Sequence, residues 1–273
     1  MKIGLIGFGS LGKAFVSGLL KSGFNHENIG ITAKTQKTIN LAKELYPKIN
    51  VFSDKSKLID FSDVIILCVE PQNTKELCQE LDYQQMREKI LISCISGVLV
   101  QDLLNYLNCD MSELHIIRAM PNLAISNCEG ITGLVDSSVD GKRAEQFMDV
   151  KALFEGLGYV AIVRENELEA ITVSSACGMA FASVLLNVYQ DAIMRLLNNA
   201  AVSKEITLQL FMGVISLIRD EDISFQQLND IVATKKGSTE VGLNNFDTDA
   251  IDHILKVALH ATYERTKTVK DNQ

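Results

Sequence analysis

Three glycines near the start of the chain have the spacing of a phosphate-binding turn. In Ile3-Gly-Leu-Ile-Gly-Phe-Gly-Ser-Leu-Gly-Lys-Ala14 they stand at Gly7, Gly9 and Gly12. A lone GxGxxG is a weak signal. This one follows an apolar run and opens an amphipathic segment, Leu11–Ser22, which is the setting a dinucleotide site needs. Gly7 allows the tight turn, Gly9 lets backbone approach a pyrophosphate, and Gly12 lets the helix pack close to the strand. The phosphates would sit at the helix N-terminus, where free N–H groups and the dipole favour negative charge. The first expected cofactor contacts are therefore Gly7, Phe8, Gly9, Ser10, Leu11 and Gly12.

The next chemistry-bearing stretch chooses between cofactors. NAD sites usually place an Asp or Glu after the second strand, to bind the ribose 2′-hydroxyl. Here the chain reads Ile31-Thr-Ala-Lys-Thr-Gln-Lys37, with no acid. Lys34, Thr35 and Lys37 could bind a 2′-phosphate instead, so NADP(H) is the expected cofactor and NAD(H) the alternative. The competing reading is a basic turn facing water, since Lys clamps phosphate more loosely than Arg.

Far along the chain, Val232-Ala-Thr-Lys-Lys-Gly-Ser-Thr-Glu-Val-Gly-Leu243 combines two glycines, two lysines and three hydroxyl residues between helical patterns. It could grip a small ligand. It could equally be a connector whose hydroxyls form turns and caps.

These stretches need elements to position them. Apolar runs at Lys2–Ile6, Ile29–Thr32, Val64–Val69, Ile90–Ile95, His115–Ala119, Gly130–Val135 and Tyr159–Val163 alternate with helical segments, which predicts βαβ units and a mostly parallel sheet. After about Glu165 the apolar spacing turns helical: 167–199, then roughly 203–220, 225–231 and 247–267. Ser203 and Asp247 read as helix starts. The expected fold is an α/β domain over 1–164 followed by an all-α domain over 165–273.

Composition sets limits on function. The 273 residues are 47 % hydrophobic and 22 % charged, an ordinary globular balance. A net charge of −8 argues against a nucleic-acid surface. The six cysteines form no CxxC pair and read as reduced thiols of a cytoplasmic protein. None of the four histidines is spaced with another ligand, so no metal is expected. A strand starting at Lys2 leaves no room for a signal peptide. No apolar run approaches the ~20 residues that span a bilayer, so no membrane partner is expected.

Several motifs, in order, resemble those of pyrroline-5-carboxylate reductase. Val69-Glu-Pro71 resembles the family's Val-Lys-Pro, and Ser93-Cys-Ile-Ser-Gly97 its Ser-(Ile/Ala)-x-Ala-Gly turn. Arg118-Ala-Met-Pro-Asn122 matches Arg-x-Met-Pro-Asn. Ile171–Ala180 resembles Val-Thr-Ala-Leu-Ser-Gly-Ser-Gly-Pro-Ala, and Val232–Leu243 resembles Val-x-Ser-Pro-Gly-Gly-x-Thr-x-x-Gly-Leu. The resemblance implies an NADP-binding Rossmann domain and a helical dimerisation and substrate-binding domain. It implies hydride transfer from NADPH to the C=N bond of a small cyclic imino acid, giving L-proline, in a homodimer or higher homo-oligomer. It further implies that Val69, Glu70, Pro71, Pro121 and Asn122 border the cofactor. Thr234, Gly237, Ser238 and Thr239 would hold the substrate, with Thr239 placed near its nitrogen as the catalytic residue. Where the family has Pro-Gly this chain has Lys235-Lys236, and Glu70 replaces a lysine. Those departures keep two alternatives open: a reductase of a different imino acid, and a non-catalytic NADP-binding regulatory protein.

Overall fold

The computed structural model describes residues 1–136 and 141–270, with side chains described for 1–136 and 143–266. Eight strands form one sheet: β1 (Ile3–Ile6), β2 (Ile29–Thr32), β3 (Asn50–Val51), β4 (Val64–Leu67), β5 (Ile90–Ser93), β6 (His115–Pro121), β7 (Gly130–Val135) and β8 (Gly158–Ile162). Their order is 3-2-1-4-5-6-7-8. Neighbours are parallel except β6 and β7, which run antiparallel. All seven expected strands are present. β3 was not expected, because two residues are too few to show a period.

Helices α1 (Ser10–Lys21), α2 (Gln36–Leu45), α3 (Lys55–Phe61), α4 (Thr74–Glu80), α5 (Val100–Leu107) and α6 (Gly141–Glu155) link the strands. Alternate strand residues point to opposite faces. Ile3, Leu5, Ile29, Ile31, Val64, Ile66 and Ile92 pack with Phe15 and Leu19 of α1 and Phe154 of α6. Ile6, Ile65, Leu67, Leu91 and Ile116 pack on the other face with Leu58, Leu77 and Leu103. Both faces are covered, so the strands read as continuous apolar runs. Each such fully buried aliphatic side chain contributes roughly 1.5–3 kcal/mol.

The chain divides into two compact units. One is Met1–Cys177 together with the chain from Thr262 onward; the other is Gly178–Ala261. The division falls later than position 164 because α7 (Leu168–Thr172) still packs on the sheet. Leu168 is fully buried against Met120 and Val135. A π turn, Val173–Cys177, then leads into α8 (Gly178–Leu197).

The second unit contains α8, α9 (Ala200–Asp220), α10 (Phe225–Val232) and α11 (Ser238–Asn244), and most of α12 (Thr248–Lys270). Tyr189 on α8 meets Phe211 on α9 edge to face at 5.4 Å. The start of α9 differs from the expected Ser203. Asn199 is the cap, its side chain accepting the Val202 N–H at 3.1 Å, and Ser203 lies inside the helix bonded to the Asn199 carbonyl. Asp247 does cap α12, accepting the Ala250 N–H. Helix α11 lies inside the stretch that separates two helical patterns in the sequence, because Gly242 and the hydroxyls of its first turn are poor helix signals.

The expectation that no apolar run approaches membrane length is corrected. The helical segment 165–197 and α9 are each long and apolar enough to cross a membrane, by length and composition. Isolated polar residues such as Asn187 and Asp191 interrupt the apolar letters without making the helix polar. Val184, Val188, Leu196 and Met212 are 60 %, 61 %, 85 % and 62 % exposed in the single chain. Such a surface needs a cover.

Candidate active site

The GxGxxG turn follows β1 at the point where strand order changes direction, with β2 on one side and β4 on the other. Ligands in open α/β sheets bind at this switch point, outside the carboxyl ends of the strands. Gly7 has φ 109°, and its N–H donates to the Thr32 carbonyl at 3.0 Å. A Cβ on Gly7 would stand 2.4 Å from the Cys68 carbonyl oxygen, and one on Gly12 would stand 2.3 Å from the Gly7 carbonyl oxygen. A Cβ on Gly9 would meet nothing within 4 Å. Gly7 and Gly12 are thus required by the turn itself, whereas Gly9 faces open space at the N-cap of α1. No side chain caps that helix. Phe8 is buried in the core and stacks edge-on with Tyr46, so only its backbone can face a ligand. Ser10 is exposed and Leu11 half-buried.

Lys34 and Thr35 follow β2, beside this turn. Both already have partners. The Lys34 ammonium is 2.9 Å from Glu76 Oε2 on α4, with both side chains well exposed. Its hydrogen bond to Glu76 raises the Lys34 pKa, the charge of Glu76 acting in the same direction. The Thr35 hydroxyl caps α2, accepting the Thr38 N–H at 3.2 Å. Sequence spacing gave no sign of Glu76, which lies 42 residues from Lys34.

Two further groups reach the same edge of the sheet. Val69, Glu70 and Pro71 follow β4, whose Leu67 is level with Ile6 of β1. Pro71 opens a 3-10 turn, and the Glu70 carboxylate accepts from Gln72 Nε2 at 2.6 Å. Pro121 ends β6. Asn122 is buried, and its Oδ1 accepts the N–H groups of Ala124 and Ile131, both at 3.2 Å. The amide oxygen of Asn122 therefore holds a turn and ties it to β7. Arg118, on the same strand, is a buried residue that sequence reasoning left without a role. Its Nη1 lies 2.8 Å from Glu165 Oε1 and its Nη2 3.4 Å from the Ile95 carbonyl, which ties β6 to the Ser93–Gly97 turn.

Burial subdues three groups capable of proton chemistry. Burial pushes the Cys94 thiol well up, helped by a hydrogen bond with Cys68. Burial likewise pushes Cys78 up to about 12. Burial lowers the His115 imidazole, against the pull of Gln146. A cleft of about 680 Å³ opens at Leu99, Val135, Ile162 and Arg164. It borders β7 and β8 and stands apart from the Gly7 turn, so its size does not make it the site.

In the second unit, Thr234–Thr239 form a cluster of their own. The Gly237 N–H donates to the Thr234 carbonyl at 2.8 Å. This N–H therefore already has an acceptor within the chain. Ser238 and Thr239 occupy the first turn of α11, where N–H groups have no carbonyl partner within the helix. Thr234, Ser238 and Thr239 are exposed. Lys236 is left-handed, with φ 64°, and its N–H donates to Glu240 Oε2 at 2.6 Å.

A model described as "NADP oxidoreductase coenzyme F420-dependent" matches residues 2–97, and one described as "Pyrroline-5-carboxylate reductase dimerisation" matches 165–269. Pyrroline-5-carboxylate reductase 2 of Bacillus subtilis is 25 % identical over 273 residues, covering 99 % of this chain and 95 % of that protein. The Methanosarcina acetivorans reductase is 27 % identical, covering 97 % of each. The solved reductase of Coxiella burnetii superposes with a TM-score of 0.86 at 26 % identity, covering 98 % of this chain and 97 % of that one. The chain belongs to the pyrroline-5-carboxylate reductase family. The solved Plasmodium falciparum reductase, which has NADP bound, gives a TM-score of 0.83 at 23 % identity over 99 % of this chain and 98 % of that one.

Against the pyrroline-5-carboxylate reductase motifs, two departures take on structural meaning. Lys236 stands at the family's glycine and still adopts the left-handed turn that glycine accepts without cost. The stretch matching the family's Ser-Gly-Ser-Gly-Pro-Ala is the π turn with the start of α8. There the Ser175 hydroxyl bonds back to the Ile171 carbonyl at 2.7 Å.

Proposed function

We propose that the protein reduces pyrroline-5-carboxylate to L-proline with NADPH. The observation that carries this reading is that the likeness to such reductases runs through both units, over nearly the whole of each relative. Bound NADPH supplies a hydride to the C=N carbon of the imino acid. The open face at Gly9 and the uncapped N-terminus of α1 suit a pyrophosphate. Val69–Pro71 and Pro121–Asn122 border the nicotinamide end, and Lys34 with Thr35 meets the 2′-phosphate. The Thr234 and Ser238 hydroxyls hold the substrate carboxylate, and Gly237 keeps the loop tight between them. The Thr239 hydroxyl, able to donate or accept, follows the nitrogen as imine becomes amine. An iminium is already electrophilic, so positioning suffices and no strong acid is required.

The test is to mix purified protein with NADPH and pyrroline-5-carboxylate and follow loss of reduced-cofactor absorbance. NADPH binding without turnover would reject the reading. The exposed Lys235–Lys236 pair favours a second reading, a substrate with an additional acid group, and a panel of cyclic imino acids separates the two.

The 2′-phosphate role has its own test. Lys34→Glu should weaken NADPH about tenfold more than NADH, the size of one charge-assisted contact. Glu76→Gln should act in the opposite direction, because it frees Lys34. Equal effects of Lys34→Glu on the two cofactors would remove Lys34 from the site.

A second copy of the chain covers α8 and α9 in this reading, with no membrane or nucleic acid involved. The six free cysteines suit a cytoplasmic setting. Val188→Asp combined with Met212→Asp should shift the protein from dimer to monomer mass in light scattering. An unchanged dimer would place the interface elsewhere.

A further inference from the structure

We propose that Glu240 is a positioning residue that holds the substrate loop in its working shape, doing by a hydrogen bond what glycine does by conformational freedom. The inference rests on the reading of Thr234–Thr239 as the substrate loop. Lys236 has φ 64°, a conformation disfavoured for any residue with a Cβ. Something must hold it there. The Lys236 N–H donates to Glu240 Oε2 at 2.6 Å, and hydrogen bonds to a carboxylate are the short, strong kind. Glu240 is itself fixed on α11, and its half-buried side chain points back over the loop.

The turn so formed sets the next residues. The Gly237 N–H closes onto the Thr234 carbonyl at 2.8 Å. A Cβ on Gly237 would stand 2.5 Å from Thr234 Oγ1. The loop is therefore drawn tight around the Thr234 hydroxyl, and releasing Lys236 would let Thr234 and Gly237 separate. With Glu240 on the Lys236 N–H and Thr234 on the Gly237 N–H, two loop amides have acceptors in the chain. The binding duty then falls on the hydroxyls of Thr234, Ser238 and Thr239.

The test compares Glu240→Ala, Glu240→Gln, Lys236→Gly and the Glu240→Ala/Lys236→Gly double variant in the full-length protein. Steady-state kinetics, NADPH titration and hydrogen exchange of the 234–240 segment are measured on each. Glu240→Ala should raise KM for pyrroline-5-carboxylate about fivefold and loop exchange about tenfold, with NADPH affinity and kcat nearly unchanged. Glu240→Gln, which keeps an uncharged acceptor, should fall between. Adding Lys236→Gly to Glu240→Ala should recover both KM and protection, since glycine needs no restraint at that φ. Unchanged loop exchange in Glu240→Ala overturns the inference, whatever the activity. Increased exchange with unchanged KM overturns the positioning role and shows that substrate binds elsewhere. Failure of the double variant to recover shows that Glu240 acts by something other than restraining Lys236, and also overturns it. If the wild type shows no turnover, the reductase reading fails and the positioning role fails with it. Loop exchange then still reports separately whether Glu240 orders the turn.

Discussion

Gly9→Val should leave the ligand-free protein nearly as stable as the wild type and weaken NADPH binding at least about a hundredfold, the loss expected when backbone can no longer approach a pyrophosphate. The expectation comes from a contrast among three glycines. A methyl group on Gly7 or Gly12 would strike backbone, at 2.4 Å and 2.3 Å. Gly7 also has φ 109°, so a side chain there adds strain of roughly 1–3 kcal/mol. Substitutions at either position should lower the melting temperature, and lost binding could then be blamed on a damaged fold. Gly9 is different: its Cβ would meet nothing of the protein within 4 Å. Its φ of −77° is one that any residue adopts. A valine at position 9 therefore costs the fold little beyond a weaker helix cap, and its main harm falls on what binds in front of it. Thermal melts and NADPH titration of Gly9→Val and Gly12→Ala would check this. A Gly9→Val variant that keeps its melting temperature and binds NADPH within threefold of wild type would remove the cofactor from this turn.

The second large effect is expected at Thr239. Thr239→Val keeps the shape and removes one hydroxyl, so kcat/KM for pyrroline-5-carboxylate should fall about a hundredfold, the typical loss of one well-placed donor. NADPH affinity should stay within about twofold, because the proposed site assigns Thr239 to the substrate and the Gly7–Gly12 turn to the phosphates. Thr239→Ser, which keeps the hydroxyl, should retain most activity. If Thr239→Val and Thr239→Ser lose activity equally, the methyl group or the start of α11 matters, and the hydroxyl does not.

Much of the first unit was legible because its physics repeats along the chain. A strand covered on both faces must be apolar throughout, so Ile29–Thr32 and Ile90–Ser93 stand out from their surroundings. The Gly7 turn was legible because few residues tolerate its backbone. What stayed hidden depends on partners distant in sequence or on unusual conformations. Glu76 meets Lys34 only because β2 and α4 reach the same edge of the sheet. Asn122 looked free to face a ligand, yet its amide oxygen is used by Ala124 and Ile131. Phe8 sat inside the motif, but its ring belongs to the core. Nothing in Lys235-Lys236-Gly237 announces a left-handed lysine, and α11 begins in residues that favour turns. The reach of the first unit to Cys177 was hidden because the helical period continues across it.

The π turn at Val173–Cys177 has a consequence for register. Closing bonds five residues apart rather than four, it accommodates one residue more than a regular helix would. Each residue of an α-helix turns the chain by about 100°. Within the first unit that extra residue separates two buried positions by more than a regular turn: Leu168 is held against Met120 and Val135, while Val173 and Ser175 stay buried further along. Ser175 keeps its hydroxyl on the Ile171 carbonyl, so the wider turn is closed by a side chain as well as by backbone. Deleting one residue there would turn the remaining residues of the turn by about 100° about the helix axis and draw Ser175 off that carbonyl.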